Sequence, residues 1–164
     1  TKFRLGVDLA TTPGKVVWRN DVMELIQYEP TTETVYKRPL LITPPWINKF
    51  YVLDLNPEKS FVRWAVEQGH TVFIVSWVNP DARHAKKTFE DYLTEGTLAA
   101  IDATLKARGA EALNLVGFCL GGTLAVDGLL LLQLGLRRLR TDLVLGLELR
   151  FLGGRSLRLR TLSS

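Results

Sequence analysis

Cys119 is the one cysteine among 164 residues, and it sits in Gly117-Phe118-Cys119-Leu120-Gly121-Gly122. A G-x-C-x-G spacing suits a nucleophile carried on a tight, strained turn. Side chains two residues to either side would collide there, and glycine removes the collision. Before it, Ala112-Leu113-Asn114-Leu115-Val116 reads as a short buried strand. After it, Gly121 to Val126 is small and apolar enough to open a helix. The partial positive charge of a helix N-terminus favours a negative sulfur held beside it. The chemistry open to such a thiol is attack on an acyl carbonyl, with the acyl group held as a thioester. The plain alternative is that a lone cysteine is a small buried hydrophobe.

The elements needed to position Cys119 can be read upstream. Leu40-Leu41-Ile42-Thr43 is a short apolar strand, ended by Pro44-Pro45 and an irregular Trp46-Ile47-Asn48-Lys49. Pro57 to Gln68 predicts a helix with Pro57 in its first turn, Phe61, Trp64 and Ala65 on one face, and Gly69 as its stop. Thr71 to Trp77 is a near-continuous apolar run, as in a strand buried on both faces of a parallel sheet. Asn79-Pro80-Asp81 reads as a turn, Thr88 to Ala107 as a second helix, and Ala112 to Phe118 as the next strand. Alternating strands and helices argue for an α/β fold, a parallel sheet covered by helices. With a cysteine at the strand-to-helix turn, the expected fold is the N-terminal part of an α/β-hydrolase. The backbone N–H of Leu120, next to the nucleophile, then becomes one oxyanion donor. Trp46 and Trp77 fall at the carboxyl edge of the sheet, where ligands bind in open α/β sheets. They are candidates to line a substrate channel, or to pack.

Several long blocks carry a further resemblance. TPGKVVWRNDVMELIQYEPTTETVYKRPLLITPPWINKFYVLDLNPEKSFVRWAVEQGHTVFIVSWVNPDARH, followed by GFCLGG, closely resembles the polyhydroxyalkanoate synthases, over about residues 6–126. The GFCLGG box is similar to the class I, 3-hydroxybutyryl type. The resemblance implies an acyltransferase that polymerises (R)-3-hydroxyacyl-CoA into polyester and releases coenzyme A. Cys119 would carry the growing chain. Leu120 and an amide near Ile47 would hold the oxyanion. It also implies an acyl-CoA substrate, a polymer-granule partner, a homodimer, a cytoplasmic granule-associated location and no cofactor. A related thioesterase or depolymerase, or a non-catalytic granule-binding protein, is the alternative.

The chain departs from that family in one respect. The family's base is a histidine oriented by an aspartate, both well after the cysteine. Here His70 and His84 are the two histidines, and both precede Cys119. His70 is expected to be structural, and His84 to be solvated in a polar turn or to rim the active-site mouth. Asp127 and Asp142 follow too closely to match the family's aspartate.

Composition changes at Asp127. Of the last 38 residues, 15 are leucine and 7 arginine, with no lysine. Residues 1–126 are charge-neutral, so the tail carries the whole net charge of +4. It has no clean helical, strand or heptad period. An out-of-frame reading of GC-rich coding DNA would give such a mixture; a basic tail that binds a membrane or granule surface is the alternative. Expected units are 1–33, the end of an N-terminal region; 34–126, the first part of the catalytic domain; and 127–164, the tail. No aromatic–basic interleaving or zinc spacing points to nucleic acid or metal. No run of 18 apolar residues marks a membrane span, and a lone cysteine fits a reducing compartment.

Overall fold

The computed structural model describes residues 3–136, 148–150 and 156–158. The chain enters through a hairpin of β1 (Gly14–Arg19) and β2 (Met23–Tyr28). Asn20 makes the turn. Its side-chain oxygen accepts from the N–H groups of Val22 and Met23, both at 3.0 Å, and its amide donates to the Glu95 carbonyl at 2.7 Å. Strand β3 (Leu40–Thr43) follows as predicted. A small hairpin, β4 (Asp54–Asn56) and β5 (Lys59–Ser60), leads into helix α1 (Phe61–Glu67).

The predicted helix start at Pro57 is displaced to Phe61. Asn56 accepts from the N–H groups of Glu58 and Lys59, which folds Pro57 into a turn. Ser60 then caps α1 by accepting from Arg63 N–H at 2.8 Å. Val62, Ala65 and Val66 are the buried face, whereas Trp64 is 54% exposed. Gly69, at φ +84°, ends the helix as expected.

Strand β6 (Val72–Trp77) is next. The predicted Asn79-Pro80-Asp81 turn is instead an extended approach to a short 3₁₀ segment, Ala82–His84, capped by Asp81. The second long helix opens with α2 (Phe89–Asp91), capped by Thr88, and passes through a π-helical stretch, Tyr92–Leu98. It continues as α3 (Ala99–Arg108) and ends at Gly109, φ +58°. Strand β7 (Asn114–Gly117) leads directly to α4 (Leu120–Leu136).

The main sheet has the order β1-β2-β6-β3-β7. β2 pairs antiparallel with β1 and β6, while β6, β3 and β7 are mutually parallel. This order, with its one reversed strand, is that of the first strands of an α/β-hydrolase sheet. Strands β1 and β2 lie before residue 33 and belong to the same sheet as the later strands.

Alternation along the strands sends side chains to two cores. Val72 and Ile74 of β6, with Leu40 and Ile42 of β3, pack under α1. Phe73, Val75 and Trp77, with Leu41, Leu115, Leu93, Leu124 and Leu129, pack on the opposite face under the long helix and α4. Helices therefore cover both faces, which is why β6 is apolar almost throughout.

Helix α4 runs unbroken across Val126–Asp127, where composition changes, and Leu129 is still buried. Beyond it, β8 (Glu148–Arg150) pairs antiparallel with β9 (Ser156–Arg158). The remainder of the Leu/Arg-rich stretch, 137–147, 151–155 and 159–164, lies outside the described residues.

Candidate active site: the Cys119 turn

Strand β7 leads to Cys119, the predicted nucleophile. Its register sets Gly117 opposite Thr43, the last residue of β3. The next residue, Phe118, donates its N–H to the Thr43 carbonyl at 3.1 Å. Cys119 then adopts φ +55°, in the left-handed region that residues with a Cβ rarely occupy. Two bonds close the turn: Gly121 N–H to Phe118 O at 3.0 Å, and Gly122 N–H to Cys119 O at 2.8 Å. Cys119 is exposed. The buried-hydrophobe reading of this lone cysteine is therefore set aside.

The flanking glycines are required by space. A Cβ on Gly117 would lie 2.5 Å from the Gly122 Cα, the collision across the turn that the motif anticipates. A Cβ on Gly121 would lie 1.9 Å from the Thr43 carbonyl oxygen. Gly121 thus lets α4 press against the end of the neighbouring strand, not only against its own turn.

The two predicted oxyanion positions leave from the carboxyl ends of adjacent parallel strands. Leu120 is the first residue of α4, and its N–H has no acceptor among the described residues, as expected for a helix N-terminus. Ile47 lies in the turn after β3, where Asn48 N–H donates to Pro45 O at 3.1 Å. Its side chain is 68% exposed.

Trp77 ends β6 and is buried, with its indole N–H donating to the Pro44 carbonyl at 2.7 Å. Trp46, three residues past β3, stacks on Tyr92 with ring centres 5.5 Å apart and meets the Phe89 ring edge-on at 5.8 Å. Tyr92 lies 5.6 Å from Trp77, so the rings form one connected ladder. Phe89 and Tyr92 carry no sequence signal of this cluster, because only the tertiary fold brings their helix over β6. Gly96 in a helix interior was the one visible hint.

The two histidines belong to segments that precede this turn in the chain. His70 lies between α1 and β6, with its ring 4.8 Å from that of Tyr36. His84 is buried, not solvated. Its Nε2 lies 2.8 Å from the Asp21 carbonyl, which can only accept, and Asp81 N–H donates to its Nδ1 at 3.2 Å. The Asp81 carboxylate oxygen Oδ1 also lies 3.1 Å from Nδ1. The Nε2 contact fastens the Ala82–His84 segment to the β1–β2 hairpin, while the Nδ1 contacts stay within that segment's own cap. Asp81 is exposed, and its bonds from Arg83 hold its carboxyl well below the usual carboxylate range.

A cleft of about 370 Å³ lies between Trp18 and the Ala99–Ala107 side of α3, and one of about 250 Å³ between the Leu5–Gly14 segment and Tyr28. Neither is lined by Cys119. Among the described residues no group of three or more His, Cys, Asp or Glu side chains could hold a metal, and no helix is long and apolar enough to cross a membrane.

Residues 1–65 match the family model described as the poly-beta-hydroxybutyrate polymerase (PhaC) N-terminus. The poly(3-hydroxyalkanoate) polymerase subunit PhaC of Rhizobium etli is 60% identical over 124 residues, covering 76% of this chain. Over these residues the chain is similar to the poly(3-hydroxyalkanoate) polymerases. The Methylorubrum extorquens poly(3-hydroxyalkanoate) polymerase is 62% identical over 122 residues, or 74% of this chain. The match covers 20% of each of those relatives, so this chain spans about a fifth of their length. Among solved structures, epoxide hydrolase A from Mycobacterium thermoresistibile superposes with a TM-score of 0.48 at 16% identity, over 71% of this chain and 34% of that one.

Proposed function

We propose that this chain contains the nucleophile-bearing first part of a polyhydroxyalkanoate synthase that uses (R)-3-hydroxyacyl-CoA, with 3-hydroxybutyryl-CoA as its substrate. The observation that carries the reading is an exposed cysteine at φ +55° between a parallel strand and a helix. In this reading the Cys119 sulfur attacks the thioester carbonyl. A sulfur–carbon bond forms, the bond to coenzyme A breaks, and coenzyme A leaves with the electron pair. One thioester replaces another, so the exchange is nearly balanced. The Leu120 N–H, with an amide of the loop at Ile47, takes the developing oxyanion. Trp46 and Trp77 form the apolar wall beside it. The partners are acyl-CoA and the growing polyester at a granule surface in the cytoplasm, with the intact enzyme a homodimer.

Residues 127–164 are read as a continuation foreign to the family, following an N-terminal region, 1–33, and the first catalytic part, 34–126. Both histidines precede Cys119, and His84 has its ring nitrogens engaged at Asp21 and Asp81. The 164-residue polypeptide therefore holds a nucleophile without a base to activate the incoming hydroxyl, and it does not sustain polymerisation. The test is coenzyme A release from 3-hydroxybutyryl-CoA by this chain, with product analysis. No more than one equivalent of release per chain and no polymer is expected. Sustained release with polymer would refute the loss of turnover. Sustained release with free hydroxy acid would replace the synthase reading with a thioesterase.

A further inference from the structure

The geometry points to Trp77 as a positioning residue that sets the oxyanion site beside Cys119 through the Pro44 carbonyl, an inference that rests on Cys119 being the acyl acceptor. The loop after β3 begins with Pro44 and Pro45, neither of which has an N–H. Such a loop is fixed through its carbonyls. Pro44 O accepts from the Trp77 indole at 2.7 Å, and Pro45 O accepts from Asn48 N–H at 3.1 Å. The N–H groups of Trp46 and Ile47 are left with no acceptor among the described residues. They are the first amides the loop offers after β3, and with Leu120 they supply the unspent donors at the two adjacent strand ends.

Pro44 also abuts the nucleophile turn. A Cβ on Gly121 would lie 2.9 Å from the Pro44 carbonyl carbon. The Pro44 peptide is thus wedged between the indole on one side and the first turn of α4 on the other. Movement of Trp77 would move the loop amides relative to Cys119.

The fold makes a particular place for this indole. Gly96 lies in the π-helical stretch, and a Cβ there would come within 2.5 Å of the Trp77 ring. π-Helical turns are rare and gather at functional sites. A phenylalanine would serve the packing alone. A buried indole N–H needs an acceptor, and it finds one on the loop that carries the donors.

The test separates oxyanion formation from thiol access. Acylation by p-nitrophenyl acetate forms a sulfur–carbon bond, breaks the bond between the acetyl carbonyl carbon and the phenolic oxygen, and releases p-nitrophenolate, through a tetrahedral oxyanion; the thiol proton goes to solvent. Alkylation by iodoacetamide forms a sulfur–carbon bond and releases iodide, with no oxyanion. Cys119 is the sole thiol, and a Cys119→Ser blank removes acylation elsewhere. Trp77→Phe is expected to lower the acylation rate by about tenfold, less than the loss of an entire oxyanion donor, and to leave alkylation unchanged. Replacement of Trp77 by benzothienylalanine, which keeps the bicyclic ring and removes the N–H, should do the same and covers a failure of the phenylalanine variant to fold. Equal falls in both rates, or in neither, would overturn the positioning role. An acylation-to-alkylation ratio in the unaltered chain equal to that of the same chain in urea would instead remove the acyl-acceptor reading beneath it.

Discussion

At the scale of single residues, the glycines around Cys119 differ in kind. Gly109 has φ +58° and open space where a Cβ would stand. Gly109→Ala should therefore cost only the left-handed backbone penalty, about 1 kcal/mol. A Cβ on Gly121 meets backbone, the Thr43 carbonyl at 1.9 Å, and nothing flexible can yield. Gly121→Ala should cost more than about 3 kcal/mol, and thermal unfolding of the two variants checks the contrast. Equal losses would contradict the close approach of α4 to β3. The motif's spacing made Gly117 and Gly121 legible as a pair, but only the packing of α4 on the end of β3 shows that Gly121 answers to Thr43.

Tyr28 gives a pH prediction at the same scale. Burial, and secondarily the charge of Asp54, push its hydroxyl above the ordinary tyrosine range. An acid whose folded pKa is raised binds its proton more tightly in the folded state. Its contribution is complete below the unfolded value, near 10, and falls as pH rises above it. The hydroxyl has no hydrogen-bond partner among the described residues. Tyr28→Phe should leave stability at pH 7 equal or up to about 1 kcal/mol higher, with a shallower alkaline decline. Urea unfolding at neutral and alkaline pH checks both halves, and a destabilised variant with an unaltered alkaline limb would refute them.

At the scale of elements, the strands that the sequence made legible are those buried on both faces. Leu40–Thr43 is a mostly apolar run between Pro39 and Pro44, and Val72–Trp77 is apolar but for Ser76. β1 and β2 escaped notice because β1 is an exposed edge strand and β2 is half polar. The apolar Met23 and Leu25 on either side of polar Glu24 were the available signal. The β4–β5 hairpin was hidden by Pro57, which also suits a helix start.

That hairpin anchors the N-terminal segment. Buried Asp54 accepts from Thr12 Oγ1 at 2.7 Å, Thr12 N–H at 3.2 Å and Ser60 Oγ at 2.6 Å. Ser60 in turn caps α1. Thr12→Val removes one hydroxyl donor from a carboxylate, at a cost of about 1–3 kcal/mol. It should also speed proteolytic cutting within residues 3–12. Unchanged cleavage and stability would show that the segment is held by other contacts.

At the scale of the whole molecule, the sequence made the fold class and the strand–turn–helix at Cys119 legible together, because these elements are contiguous in the chain. The aromatic ladder was only half legible. Trp46 and Trp77 stand out by residue type, whereas Tyr92 joins them through a helix that crosses the sheet from fifteen residues farther along the chain than Trp77. His84 is buried and not solvated because its Nε2 partner, the Asp21 carbonyl, belongs to the distant β1–β2 turn and meets it only in the folded chain.

The central claim is that the turn at Cys119 is built to hold an acyl group. The most direct measurement is intact-protein and peptide mass spectrometry after incubation with 3-hydroxybutyryl-CoA, for the chain and for Cys119→Ser. The account predicts one hydroxylamine-sensitive acyl group per chain, confined to the peptide that contains Cys119 and absent from the serine variant. An unmodified Cys119, or acyl groups spread over lysines and resistant to hydroxylamine, would contradict it.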